Sequence, residues 1–258
     1  MYYSESEARR LVILAGHLLV DKKLIARTWG NISARIGQGE FIITPSGKPY
    51  ESLSESELVK VKISDLSYEG NLKPSSEKGV HAAAYSLRRD VNFVIHTHQT
   101  FATAISVEGQ SFDFAPNASY ALSGTEKLRN AVSEVVKNNP QSKAFLMQRH
   151  GALCLGESFE DAFAAAENLE MCSNAHFKAY AGRKSERARR RPYLDDYAQM
   201  AGFGSGFAKG EDPGAMELIK KKNALAADYV QKAKPLGFFD VILQHAVYKL
   251  KYSRLKEK

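Results

Sequence analysis

Cysteine is scarce in this chain, which has only two, Cys154 and Cys172, among 258 residues. Two thiols can form one disulfide at most, and they are too few for a disulfide framework or for a zinc site built from thiolates. We therefore interpret both as small hydrophobic residues of the interior.

Long hydrophobic runs are also missing from the sequence. No apolar stretch approaches the roughly 18 to 20 residues that a membrane-spanning helix needs, and residues 1–12 lack the basic start and the apolar core of a signal peptide. The mean hydropathy is -0.35, with 44% hydrophobic and 25% charged residues, as in soluble globular proteins. We expect a cytoplasmic protein without a membrane partner.

Positive charge is in moderate excess. The chain has 36 Lys and Arg against 29 Asp and Glu, a formal net charge of +7, which suits an anionic partner without choosing between a phosphorylated metabolite and nucleic acid. The densest basic run, at residues 183–191, could neutralise nucleic-acid phosphates. No recognition motif accompanies it, so we interpret it as a solvated face or a subunit contact and expect no nucleic-acid partner.

The order of apolar and capping residues predicts alternating helices and strands. Serine caps precede apolar residues at helical spacing, and runs of β-branched and other apolar residues are typical of strands. A polar, glycine-bearing stretch at 27–33 separates the first helix from the first strand. The expected helices run from a Ser4 cap to about Lys23, from Ser75 or Ser76 to about Arg89 and from a Ser158 cap to about Tyr180, and the expected strands lie at 41–43, about 58–63, 91–98, 144–147 and 152–155.

This mixture of elements with short connections predicts a single α/β domain in which helices cover a sheet. The pattern loosens after Arg183, where a glycine-rich loop at 202–214 precedes helical stretches at about 216–232 and from 241 to the C-terminus. We therefore divide the chain into a domain at 1–182 and a C-terminal extension at 183–258, which packs on the same domain or on a neighbouring subunit.

The most informative motif is a pair of histidines, His96 and His98, on a predicted strand. Because successive side chains of a strand alternate between faces, both imidazoles project from one side and can reach one metal ion. His150 stands between two predicted strands beside Gly151, which lets the chain turn sharply, and is a candidate third ligand. A structural role for each histidine remains open on this spacing alone.

Glu77 is the carboxylate best placed to join the histidines. It lies just inside a predicted helix start, where it could ligate a metal or move protons, although an acid is also favoured there by the helix dipole. A second set of polar residues offers hydroxyls, an amide and backbone N–H groups of the kind that bind a phosphate dianion. Its members are Thr28, Gly30, Asn31, Ser46, Gly47, Ser75 and Ser76. Three ordinary turns would explain the presence of these residues equally well.

These segments together resemble the class II aldolase and adducin head family, which includes sugar-phosphate aldolases and epimerases. The resemblance rests on five short motifs in chain order, at residues 28–35, 43–47, 74–77, 96–98 and 150–151. It implies a three-layer α/β/α domain with a largely antiparallel central sheet. It also implies a homotetramer with active sites between subunits.

The resemblance further implies a role for each candidate residue. A divalent cation, Zn2+ or another such as Mn2+ or Co2+, is expected on His96, His98 and His150, with Glu77 as an occasional fourth ligand that also acts as acid and base. The phosphate of a small phosphorylated sugar is expected on the second set of residues, namely Thr28, Gly30, Asn31, Ser46, Gly47, Ser75 and Ser76.

The activity that these expectations favour is that of a class II, zinc-dependent aldehyde-lyase. It would cleave a ketose 1-phosphate, similar to fuculose 1-phosphate, into dihydroxyacetone phosphate and an aldehyde through a metal-stabilised enediolate. Other enzymes of the family remain alternatives, as a pentulose 5-phosphate 4-epimerase, a 3-oxo-acid phosphate decarboxylase or a ketose-phosphate dehydratase. So does a noncatalytic interaction module of the adducin type.

The sequence departs from the aldolase branch in one place. That branch has a tyrosine in the connection after the metal-binding strand, where this chain has Asn117, with Tyr120 displaced from it and Asp113 nearby as the acid expected of an epimerase. A catalytic tyrosine from the C-terminal tail is also expected, and the tail offers Tyr193, Tyr197, Tyr248 and Tyr252 without a motif that selects one.

Overall fold

The computed structural model of the protein describes residues 2–25, 28–108 and 112–184, and residues 1–182 form one compact unit. The predicted C-terminal loop and helices lie outside the described residues. No helix within the described ranges is long and apolar enough to cross a membrane. The helices are α1 Glu5–Asp21, α2 Lys78–Leu87, α3 Thr100–Glu108, α4 Glu126–Asn138 and α5 Phe159–Lys184, and the strands are β1 Asn31–Arg35, β2 Glu40–Ile43, β3 Val59–Lys62, β4 Phe93–Thr97, β5 Asn117–Ala118, β6 Ala144–Met147 and β7 Gly151–Gly156.

The strands form one seven-stranded sheet in the order β3-β2-β1-β4-β7-β6-β5. Every neighbouring pair is antiparallel except β5 with β6, which is parallel. The prediction of an α/β fold with a largely antiparallel sheet is therefore confirmed. β4 lies at the centre, between β1 and β7.

Alternating side chains of the strands divide the apolar core into two clusters. Ile42 and Ile95 belong to one cluster together with residues of α1, α3 and α5, whereas Ile43 and Val94 belong to the other with residues of α2 and α4. Since adjacent residues of a strand point to opposite faces, helices pack on both faces of the sheet. The central strands are consequently buried from end to end.

Most predicted elements are present with shifted ends. The Ser4 cap is confirmed, because its hydroxyl accepts a hydrogen bond from the Glu7 amide at 3.3 Å. The expected start of the second helix at Ser75 or Ser76 is wrong by two or three residues: α2 begins at Lys78, and Glu77 occupies the cap position. Ser75 instead accepts a hydrogen bond from the Glu77 amide and so forms the turn in front of the helix.

The sequence patterns missed β1, β5, α3 and α4. β1 occupies part of the stretch interpreted as polar loop, because its polar residues Asn31, Ser33 and Arg35 are buried and hydrogen-bonded. β5 has only two residues. α4 did carry a signal, since its buried residues Leu128, Val132 and Val136 recur at helical spacing behind a Thr125 cap.

Gly151 allows β7 to approach β4 at the end of the sheet where the histidines lie. A Cβ atom on Gly151 would stand 2.4 Å from the carbonyl oxygen of Thr97 and 3.3 Å from Cε1 of His96. We expect Gly151→Ala to lower the free energy of unfolding by about 1–3 kcal/mol, because the two strands must move apart. Urea denaturation measures this loss.

The matched control is Gly39→Ala in the connection between β1 and β2, where an added Cβ meets no atom within 4 Å. Its free energy of unfolding should stay within about 0.5 kcal/mol of the parent protein. Equal stability of the two variants would contradict the close approach at Gly151.

Candidate active site

Three histidines converge at one end of the sheet. His96 lies in β4, His98 directly follows that strand, and His150 directly precedes the neighbouring β7. Their ligand atoms all lie within 4.8 Å of one another, and Nε2 of His98 is 3.0 Å from Nε2 of His96. The structure thus brings together the three residues that the sequence singled out as metal ligands.

The ring orientations suit a divalent cation of the zinc type. Nδ1 of His96 is 2.8 Å from the carbonyl oxygen of Ala152 in β7, so Nδ1–H donates there and Nε2 faces the other histidines, where it can bind a cation once it has lost its proton. Zinc takes neutral imidazole nitrogens at about 2.0–2.1 Å in tetrahedral sites. Three such nitrogens within a few ångströms of one another therefore fit the ion that the sequence predicts.

The turn from β6 to β7 sets the position of His150. Arg149 has a φ of 58°, a left-handed conformation that turns the chain sharply. The backbone is fixed on both sides, because the Arg149 amide donates to Ser106 in α3 at 2.9 Å and the His150 amide donates to Met147 at 3.0 Å. His150 is therefore held by rigid elements on each side of the turn.

Glu77 lies against two of the histidines and is only 5% exposed. Its Oε2 atom is 2.9 Å from Nε2 of His96, and its Oε1 atom is 3.1 Å from Nε2 of His150. Ser123 donates a hydrogen bond to Oε1 at 2.8 Å, and the Asn31 amide donates to Oε2 at 3.2 Å. The carboxylate thus stands where a fourth ligand or a proton carrier would be needed.

The surroundings of Glu77 keep it ionised. Burial by itself raises the pKa of this carboxyl group, but the charge and the hydrogen bond of His96 lower it, as do the charge of His150 and the Ser123 hydroxyl. The net result is a pKa well below the usual value. Glu77 is consequently a negatively charged group in a largely desolvated position.

The residues expected to bind phosphate fall in three segments around this centre. The Ser46 amide donates to Lys73 at 2.9 Å and the Ser75 amide donates to Thr44 at 3.1 Å, so the turn after β2 and the segment before α2 are in contact. The segment before β1 passes close to β4, the strand that contains His96, since a Cβ on Gly30 would lie 2.4 Å from the His96 carbonyl oxygen.

These expected phosphate residues differ in how accessible they are. Ser46, Gly47 and Ser76 are exposed, and Thr28 and Gly30 are half-buried. Asn31 and Ser75 are buried. The Asn31 amide donates to the Glu77 carboxylate, and the Ser75 hydroxyl accepts from the backbone N–H of Glu77, so both contact Glu77.

The connection after β5 contributes a residue that the sequence analysis missed. Ser123 is exposed and stands in a loop without a motif, so nothing in the sequence indicated its contact with Glu77. Asn117 begins β5, and the Tyr120 amide donates to Gln148 at 3.0 Å, which ties this connection to the turn carrying His150. Asp113 is exposed, and the four candidate tail tyrosines lie outside the described residues.

Known proteins are similar to this chain in both sequence and fold. The family model for the class II aldolase and adducin N-terminal domain matches residues 10–177. The L-fuculose phosphate aldolase of Escherichia coli strain K12 is 36% identical over 166 residues, which cover 60% of this chain and 75% of that protein. The methylthioribulose-1-phosphate dehydratase of Yersinia enterocolitica is 27% identical over 180 residues, 62% of this chain and 86% of that one.

A solved structure of an L-fuculose 1-phosphate aldolase has a similar fold, with a TM-score of 0.64 at 25% identity. The match covers 86% of this chain and 97% of that chain. The residues that the family model matches include Glu77 and the three clustered histidines.

The histidine cluster predicts tight binding of one zinc ion per chain. Replacing His98 or His150 by alanine should weaken zinc binding by more than about 100-fold, because the loss of an outer hydrogen-bond partner alone costs about 10- to 100-fold. Competition with a coloured chelator measures the affinity. His17→Ala, on the exposed side of α1, is the control and should bind zinc like the parent, whereas unchanged affinity in both site variants would exclude this metal centre.

Proposed function

The chain belongs to the class II aldolase and adducin N-terminal domain family, and we propose that it is a metal-dependent aldolase, a class II aldehyde-lyase. Its substrate would be a ketose 1-phosphate, similar to fuculose 1-phosphate, which it cleaves into dihydroxyacetone phosphate and an aldehyde. The observation that carries this proposal is the buried Glu77 carboxylate held against His96 and His150. A carboxylate beside a metal-ligand set is the arrangement that proton transfer next to a carbonyl requires.

The metal is proposed to be zinc, or another divalent cation such as Mn2+ or Co2+, held by His96, His98 and His150. When bound, it supplies a Lewis acid for the carbonyl and the adjacent hydroxyl of the substrate. The three imidazoles are neutral ligands, so they leave the full positive charge of the cation available. Glu77 can serve as a fourth ligand before the substrate enters.

Glu77 is proposed to carry the proton of the reaction. Cleavage of the carbon–carbon bond turns the neighbouring hydroxyl into the aldehyde carbonyl, which frees the hydroxyl proton, and leaves an electron pair on the carbon next to the ketone. The Glu77 carboxylate takes up that proton and delivers it to this carbon, which gives dihydroxyacetone phosphate, and in the synthetic direction it removes it. The donors Ser123 and Asn31 hold the carboxylate in place between these steps.

The phosphate group is proposed to bind at the three polar segments. Ser46, Gly47 and Ser76 are exposed there and offer hydroxyls and a backbone N–H group, and Thr28, Gly30, Asn31 and Ser75 complete the set. Gly47 has a φ of 75°, a conformation that glycine adopts without strain. Binding energy from this non-reacting group would hold the reacting carbons against Glu77.

A ketose-phosphate dehydratase is the second candidate. It is favoured by the similarity to the Yersinia enterocolitica dehydratase and by Asn117, which stands where the aldolase branch has a tyrosine. The 4-epimerase and the decarboxylase would use the same site, and analysis of the products separates all four. A noncatalytic module is disfavoured, because an interaction scaffold has no need of a complete set of three histidines and a carboxylate.

The larger organisation is proposed from the family. Residues 1–182 would form the catalytic domain and residues 183–258 the extension, in a cytoplasmic homotetramer without nucleic-acid or membrane partners. The two core clusters on opposite faces of the sheet support a three-layer α/β/α arrangement.

Glu77→Gln should abolish proton exchange between dihydroxyacetone phosphate and deuterium oxide. We expect a fall of about 10²- to 10⁴-fold in the exchange rate, because the amide cannot accept the proton, while zinc stays bound to the three histidines. NMR of the substrate measures the exchange with zinc-loaded and chelated protein. The control Glu167→Gln removes a partly exposed carboxylate that pairs with Lys22 and should exchange like the parent.

Two results would count against the proposal. Normal exchange in Glu77→Gln would remove Glu77 from its role. A folded, zinc-loaded parent protein without exchange would exclude the aldolase and direct the search to pentulose 5-phosphates and 3-oxo-acid phosphates.

Ser46→Ala and Ser76→Ala test the phosphate site. Each should raise KM for dihydroxyacetone phosphate by about tenfold or more, because a hydrogen bond to a charged group contributes about 1.5–3 kcal/mol. Exchange of unphosphorylated dihydroxyacetone should be slow and equal in both variants and the parent. Ser6→Ala, at an exposed position of α1, is the control. An equal effect of the variants on both substrates would place the phosphate elsewhere.

A further inference from the structure

A buried row of hydrogen bonds continues from Glu77 into the interior. The Asn31 amide nitrogen is 3.2 Å from Glu77 Oε2, and Asn31 Oδ1 is 2.5 Å from Nε2 of His81. On the far side of the ring, Nδ1 of His81 is 2.6 Å from the Ser33 hydroxyl, which is 2.7 Å from the Tyr85 hydroxyl. His81, Ser33 and Tyr85 are fully buried, so water does not compete for these bonds.

The orientation of the Asn31 amide fixes the direction of every bond in this row. Its NH2 group donates to Glu77, and its oxygen, which can only accept, faces Nε2 of His81. His81 must therefore donate from Nε2–H, which leaves Nδ1 as an acceptor.

The same logic continues to the end of the row. The Ser33 hydroxyl donates to Nδ1 of His81, and the Ser33 oxygen accepts from Tyr85. Each group of the row therefore has one arrangement that satisfies both of its neighbours.

The row also closes a rigid ring. Glu77 is the cap residue of α2, and His81 lies one helical turn further along that helix. Asn31 lies on β1 opposite His96. His81 is neutral, since burial and the charge of His96 lower its pKa to about 3 against the opposing effect of Glu77. It can therefore donate from one ring nitrogen while it accepts at the other.

We propose that His81 is a positioning residue for Glu77, which it holds through the side-chain amide of Asn31. The Nε2–H group of His81 prevents the amide from rotating, so that an N–H of Asn31 always faces the carboxylate. This inference rests on the proposed function, in which Glu77 moves the proton. It assigns a positioning role to a histidine of α2 that lies outside the metal-ligand cluster.

Kinetics of proton exchange test the role of His81 as a hydrogen-bond donor to Asn31. His81→Leu should lower kcat for exchange of dihydroxyacetone phosphate by about 10- to 100-fold, as the loss of an outer hydrogen-bond partner does at metal sites, with KM and zinc content changed less than about threefold. His81→Gln keeps an N–H donor near the position of Nε2 and should recover most of kcat. Equal losses in the two variants would overturn the proposal.

Tyr85→Phe is the matched control for stability. It removes one buried hydrogen bond at the far end of the row and leaves the bond between His81 and Asn31 intact. Its kcat should stay within about threefold of the parent even where unfolding by urea shows lost stability. A fall in kcat as large as that of His81→Leu would mean that stability alone explains the effect.

The tautomer of His81 gives a readout that does not depend on activity. In 15N NMR of histidine-labelled protein, with and without zinc, the resonance that disappears in His81→Gln should be that of a neutral ring protonated at Nε2. A ring protonated at Nδ1 would overturn the proposal, because the amide of Asn31 would then be reversed. Should the parent protein show no exchange, the proposed function fails, and the tautomer still decides the orientation of Asn31.

Discussion

The antiparallel pairing of β4 with both β1 and β7 is the constraint on which the site depends. The register places Asn31 of β1 opposite His96, and it places Ala152, two residues after His150, opposite Thr97. A shift of one residue in either pairing would turn these side chains to the other face of the sheet. The geometry of the histidines and of the group that supports Glu77 is therefore a property of the sheet, and the close approach of β7 at Gly151 maintains it.

The parts of the fold and site that the sequence predicts are those with a local signal. The strand containing His96 and the strand after His150 consist mostly of apolar residues. A short run of such residues indicates a buried strand. That His96 and His98 project from the same side then follows from the alternation of side chains along a strand. The motifs around Glu77 and the phosphate segments were recognisable as a family pattern, although the contacts between the segments depend on the tertiary structure.

The parts that could not be predicted depend on contacts between distant residues. β1 reads as a polar loop because Asn31 and Ser33 are polar, and only their partners on α2 and at its cap make their burial favourable. Ser123 reaches Glu77 from a loop 46 residues further along the chain, and no local pattern encodes that distance. His81 stands among alanines on a helix, where its sequence context resembles that of an ordinary core residue.

The loop that carries Ser123 contributes to the site without belonging to the strands that hold the other site residues. The histidines and Asn31 lie in or beside central strands and Glu77 caps a buried helix, so substitutions there disturb the sheet as well as the site. Ser123 is exposed and touches the carboxylate through one hydroxyl. The hydroxyl supplies one of the hydrogen bonds that lower the pKa of Glu77, so the site can lose this contribution while the strands that hold the other site residues keep their contacts.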